Sequence, residues 1–303
     1  MGTSPGGSYD IYGRILATHM ARHIPGNPSI IIEHMPGAGG VTAGNFIYGP
    51  APQDGSKILL SHALPVMEKL EPASVIRYQS RKLQWLGAYD QIVQVLAVWH
   101  TAAVSTIEDV KAKPFVLGSM GTSHLSYQWS VLLKDALGAN FKVISGYTSG
   151  GAINIAMERG EVAGWAVAWE NIASAKQDWL RDKLVTIPLV FSLERTRELP
   201  TVPTLLELSQ GEKREVVEFL AAGTPFARAL AVGPGVPADR VASLRKALSD
   251  TLKDQAFLEE AGKRQLAIRY RSDAELDALA DKIVSASPDL VARVKKAVSP
   301  PNP

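Results

Sequence analysis

Apolar positions along the chain follow two periods, and their alternation predicts the order of elements. Ile11, Ile15, Leu16 and Met20 recur at helical spacing behind Asp10, read as an N-cap, until residues 25–28 ("PGNP") stop the run. Residues 29–34 ("SIIIEH") form the continuous apolar run of a buried strand, and 35–40 ("MPGAGG") a Gly-rich loop. A short helix over 41–48 and a strand at 57–61 ("KILLS") follow. Strand, loop, helix and strand in this order are the rhythm of a doubly wound α/β sheet.

The middle third repeats it. Ser105 and Glu108 have capping-box spacing and open a short helix that leads to a strand at 115–119 ("FVLGS"). Next come the loop 118–124 ("GSMGTSH"), an amphipathic helix over 125–138, a strand at 141–147, the loop 148–151 ("TSGG") and a helix over 152–161. Each strand feeds a Gly/Ser-rich loop and then a helix, and ligands of open α/β sheets sit at such carboxyl ends. From about Phe226 the pattern predicts a strand at 229–235, helices over 238–254 and 255–264, a strand at 266–270 ("LAIRY") and a helix capped by Ser272 and Glu275. Residues 299–303 ("SPPNP") read as a frayed end. These last helices have no core of their own, so the final quarter is expected to pack on the first third, with a second domain inserted between them.

Composition narrows the function. A chain of 303 residues favours two domains, and 46% hydrophobic with 20% charged residues is ordinary for a globular protein. A net charge of +2 without blocks of like charge argues against a nucleic-acid partner. The lack of cysteine removes disulfides, thiol nucleophiles and thiolate metal sites. No run approaches the ~18 apolar residues of a membrane span, and no signal-peptide pattern opens the sequence, so either the protein is cytoplasmic or its leader is not part of this chain.

Two loops carry candidate chemistry. Residues 5–10 ("PGGSYD") place glycines ahead of a helix start, where backbone N–H groups and the helix dipole suit an anion. The loop has neither the lysine of a P-loop nor the G-x-G-x-x-G of a dinucleotide fold, which favours a carboxylate over a phosphate; a plain tight turn is the alternative. The loop at 118–124 offers amides and the hydroxyls of Ser119, Thr122 and Ser123, against the alternative of a simple helix cap. His19 and His23 have i, i+4 spacing without the glutamate or third ligand of a zinc site, and read as flank residues of the first helix. Ser61 with His62, and Ser123 with His124, are sequence neighbours rather than a nucleophile elbow, so no catalytic set is assigned. Trp165 and Trp169 alternate toward a strand end, where an aromatic could roof a ligand, although packing is the plainer role.

Taken together, "SPGGSYDIYGRILATHMARHIPGNP", "IIIEHMPGAGGVTAGNFIY", "GSMGTSH", "GYTSGGAINIAMERGEV" and "ELPTVPTLLEL" resemble the substrate-binding proteins of tripartite tricarboxylate transporters, the Bug or TctC-like family. The resemblance spans nearly the whole chain. It implies an α/β, type II-like, two-domain periplasmic binding protein with a sheet flanked by helices in each domain and the ligand cleft between them. The domains are expected at 1–101 plus 226–303 and at 102–225. It implies a monomer that captures a dicarboxylate, tricarboxylate or aromatic carboxylate for membrane permease subunits, with no cofactor, no metal and no enzymatic activity. The family's ligand loops map onto Gly6, Gly7, Ser8, Tyr9 and Asp10 and onto Gly121, Thr122, Ser123 and His124; Ser61, His62, Tyr147 and Ser149 are expected to line the cleft as selectivity positions. Trp165 joins them as the candidate roof. Two departures stand out: family members carry a leader and a first strand ahead of the "PGG" loop, whereas this sequence opens at "MGTSPGG", and Ala163 stands where many relatives have aspartate. The second points to a less polar ligand. The rival readings are an α/β enzyme of a small acid or phosphate compound, and a ligand sensor of a signalling system.

Overall fold

The computed structural model describes the chain apart from residues 4, 6, 7, 123, 174, 175, 265 and 300–303, and the backbone alone at Ser8. In chain order the elements are α1 (Ser8–Met20), α2 (Val41–Tyr48), β1 (Leu59–Leu60), α3 (Leu64–Leu70), β2 (Gln84–Ala88) and β3 (Gln94–Trp99). There follow α4 (Ile107–Ala112), β4 (Phe115–Ser119), α5 (Leu125–Leu137), β5 (Phe141–Ser145), α6 (Gly150–Glu158), β6 (Gly164–Ala168), α7 (Trp169–Ala173) and α8 (Gln177–Arg181). The rest are β7 (Val185–Phe191), α9 (Leu205–Leu208), α10 (Gly211–Ala221), β8 (Ala229–Val232), α11 (Ala238–Thr251), α12 (Gln255–Lys263), α13 (Asp273–Val284) and α14 (Pro288–Val298).

The chain forms two compact units, 1–92 with 223–286 and 93–222 with 287–303. These divisions differ from the sequence expectation at three places, by three residues at 223–225 and more widely at 93–101 and 287–303. β3 lies before residue 101 but belongs to the second unit, because it is the central antiparallel partner of both β6 and β7 and all six of its residues are buried. α14 lies after residue 226 but packs on α5 and α10, where Arg293 pairs with Glu215 at 2.8 Å.

In the first unit a three-stranded sheet runs β1-β8-β2 with antiparallel pairing throughout. One face of α1, from Tyr12 through Ile15, Leu16 and Met20, packs with Leu60, Leu230 and Leu244 into a single core. Asp10 lies in the first turn of α1 rather than at its cap. Residues 29–34 form no strand among the described residues, and Ile31 is 79% exposed. The expected doubly wound order is therefore not seen here. Residues 266–270 likewise form no strand; the following Arg271 bridges Ala88 of β2.

In the second unit a five-stranded mixed sheet runs β5-β4-β6-β3-β7, with β4 parallel to both β5 and β6. Its core gathers Val95, Ala97, Ile153, Met157, Val167, Trp179 and Val190. The capping box of α4 is Thr106 with Asp109, one residue beyond the expected pair, whereas that of α13 is Ser272 with Glu275. No helix of the described residues is long and apolar enough to cross a membrane.

Candidate functional site

In the first unit the first turn of α1 and the loop after β1 meet through a stack of rings. Tyr9 lies face to face with His62, with centroids 4.4 Å apart and planes within 3°. The guanidinium of Arg228 stands 4.4 Å from the Tyr9 ring and 4.2 Å from that of Tyr12. Arg228 precedes β8 and is 1% exposed, so a buried cation supports the start of α1. Burial, and then the Arg228 charge, pushes the His62 pKa down to about 4, so the imidazole is neutral at pH 7. Gly40 completes the pocket of this ring: its φ is +94°, and a Cβ there would stand 2.8 Å from His62 Cγ.

The other assigned residues of this unit serve the fold. Asp10 is 6% exposed and pairs with Arg14 at 2.9 Å and His34 at 3.1 Å. Ser61 is fully buried, its hydroxyl donating to the His62 carbonyl oxygen at 2.6 Å and its N–H to the Ala229 carbonyl at 2.8 Å. Gly6 and Gly7 lie outside the described residues, as does the Ser8 side chain. His19 faces Glu260 of α12 at 2.8 Å and His23 faces Asp254, the N-cap of that helix, at 2.9 Å, which gives both a structural task.

In the second unit two loops lie side by side, because β4 and β5 are adjacent and parallel and each runs from its carboxyl end into a helix. The Gly146 N–H donates to the Met120 carbonyl and the Tyr147 N–H to that of Ser119, tying one loop to the other. His124 caps α5, its Nδ1 accepting from the Ser126 N–H at 3.0 Å, and partial desolvation lowers its pKa. Ser149 caps α6, accepting from the Ala152 N–H at 3.2 Å. Gly121, Thr122, His124 and Ser149 are exposed and Tyr147 half-buried, so these two loops offer amides and hydroxyls to solvent; Ser123 lies outside the described residues. Trp165 is 3% exposed, within the core under the start of α6, where its Cη2 stands 2.6 Å from an ideal Gly150 Cβ. It packs rather than roofs.

Helix N-termini that carry free donors and no acidic side chain favour a bound anion. The structure brings Tyr9 together with His62, and Gly121, Thr122 and His124 together with Tyr147 and Ser149, in one unit each. Sequence reasoning missed Arg228 and Gly40. The signal for Arg228 was a single charge in the apolar run 226–232 ("FARALAV"), and that for Gly40 the doublet ending "MPGAGG".

A TctC solute-binding protein from Polaromonas, without ligand, matches with a TM-score of 0.72 at 18% identity, over 98% of this chain and 95% of that one. The periplasmic binding protein BugD matches with a TM-score of 0.65 at 21% identity, over 98% and 96%. This is the fold of the TctC and Bug solute-binding proteins. MatC from Rhodopseudomonas palustris, with bound malate, shares the TctC fold with a TM-score of 0.63 at 19% identity, over 98% and 96%. No protein-family model matches the chain, and no curated protein is detectably similar to it.

Proposed function

We propose that this protein belongs to the TctC and Bug group and acts as an extracytoplasmic solute-binding protein. It captures a small organic carboxylate and hands it to the membrane permease subunits of a tripartite tricarboxylate transporter. One observation carries the reading: the β4–α5 and β5–α6 loops hold two helix N-termini side by side with hydroxyls and amides exposed and no carboxylate among them. Neutral donors of this kind hold a carboxylate reversibly, as transport requires. The TctC fold, shared with a malate-bound protein, supports the same ligand class.

In this reading Gly121, Thr122, Ser123 and His124, with Tyr147 and Ser149, supply one set of donors, and Gly6, Gly7, Ser8 and Tyr9 supply the other. Ala163 in place of an acidic residue favours a ligand with an apolar body, such as an aromatic or longer-chain acid. In this reading the protein binds its ligand without turnover, as the solute-binding proteins that share its fold do.

A thermal-shift screen of malate, longer dicarboxylates, aromatic acids and amino acids tests the proposal. A ligand at 100 times its dissociation constant adds ~2.7 kcal/mol of stability, which is readily seen as a raised Tm. Stabilisation by at least one carboxylate is expected. Stabilisation by none, with hydrolysis of an ester or phosphate compound instead, would overturn the binding reading.

A further inference from the structure

Two tyrosines at the start of α1 share a single cation. Tyr9 and Tyr12 are three positions apart and so lie on one face of the helix. The Arg228 guanidinium stands over both rings, 4.4 Å from the Tyr9 centroid and 4.2 Å from that of Tyr12. Tyr9 stacks on His62 as well, and Tyr12 meets the fully buried Tyr89 at 5.7 Å.

The backbone that carries Arg228 is fixed from both sides. It leads directly into β8, the central strand of the three-stranded sheet. The Ala229 carbonyl accepts from the N–H of Ser61, the residue before His62, at 2.8 Å, and the Arg228 carbonyl accepts from the Tyr89 N–H at 3.4 Å. Arg228 and His62, which both contact the Tyr9 ring, are thus held at adjoining positions of one sheet. Tyr9 stands instead in the first turn of a helix, where backbone N–H groups have no intrahelical partner. It is also the first large side chain after the glycines at 6 and 7, which have no side chain to pack. Its order therefore comes from the groups that stack on it.

Arginine suits this place and lysine does not. A guanidinium is planar, weakly hydrated and stacks on aromatic faces, whereas an ammonium is a compact and strongly hydrated charge. At 1% exposure the cation has given up its water, and ring faces replace part of that solvation.

We propose that Arg228 is a positioning residue for the carboxylate: it acts through Tyr9, on which it stacks from the central strand, and orders the first turn of α1 before a ligand arrives. Order already present in the free protein is not charged against binding, so affinity is higher by that amount. The effect on affinity rests on the carboxylate reading above; the effect on the ligand-free protein does not.

Arg228→Met, which keeps an unbranched chain without charge or planar group, and Arg228→Lys, which keeps the charge alone, test it. Amide hydrogen exchange of the ligand-free proteins is read at Tyr12 and Gly13, whose N–H groups bond back to the first turn of α1, and at Leu244 and Leu248 of α11 in the same unit. In both variants exchange is expected to rise about tenfold more at Tyr12 and Gly13 than in α11. The carboxylate found in the thermal screen is expected to bind about tenfold more weakly to both variants by calorimetry, at a temperature where all three proteins are folded. Equal rises in the two helices would mean a merely structural role and overturn the proposal. So would wild-type exchange and affinity in Arg228→Lys, or unchanged affinity in Arg228→Met. A wild type that binds no carboxylate overturns the ligand reading instead, and the exchange comparison still decides whether Arg228 orders α1.

Discussion

Acid should weaken the first unit through one side chain. His62 is packed against Tyr9 beside Arg228, and its pKa falls from 6.5 to about 4 on folding. Between those values the unfolded chain holds the proton and the folded chain does not, so lowering the pH favours unfolding. The stability is complete above pH 6.5 and is lost progressively as the pH falls toward 4. The full loss is about 3 kcal/mol, and about 2 kcal/mol of it is reached by pH 5. His62→Gln removes this titration while leaving every other ionisable group in place. Urea unfolding of both proteins at pH 7 and pH 5 isolates the term, because the remaining pH dependence is common to the two. The wild type should lose about 2 kcal/mol more than the variant over this interval. If both lose the same stability, the imidazole is not held neutral by its surroundings and the reasoning fails.

Three further outcomes follow from named contacts. Gly40→Ala combines a left-handed backbone, worth about 1–2 kcal/mol against any L side chain, with a Cβ 2.8 Å from His62 Cγ, and should lower the unfolding free energy from urea titration by at least that cost. Ser149→Ala removes the cap of α6 and should cost about 1 kcal/mol in urea unfolding, while also weakening the carboxylate found in the thermal screen. Arg269→Ala takes the guanidinium from Asp90, which is fully buried with its Oδ1 2.5 Å from Arg269 Nη1; a loss of about 3 kcal/mol in the same assay is expected, against near neutrality if the pair is incidental.

Local chemistry was the most legible part of the sequence. The box of Ser272 and Glu275 is legible because both partners lie within four residues, whereas the expected pair Ser105 and Glu108 falls one position short of Thr106 and Asp109, because both pairs have the same spacing and residues that suit a cap. α1, α5 and α11 were legible from the spacing of their apolar faces. The Gly/Ser-rich loops at 118–124 and 148–151 were legible as helix starts, but their adjacency follows from the parallel pairing of β4 with β5, between residues 26 positions apart in the chain. Pairing partners of that kind leave no local trace.

Alternation and turn chemistry, which act over a few residues, let the sequence alone determine an α/β chain with Gly/Ser-rich loops ahead of its helices. Tertiary structure decided what no short window contains. It assigned β3 to the second unit through its two antiparallel neighbours, buried Trp165 beneath the start of α6, and placed Arg228 under Tyr9 from more than 200 residues away. It also left the strand-like run at 29–34 without a ladder, because a strand's apolar pattern records its affinity for a sheet and only a neighbouring edge in space makes it one.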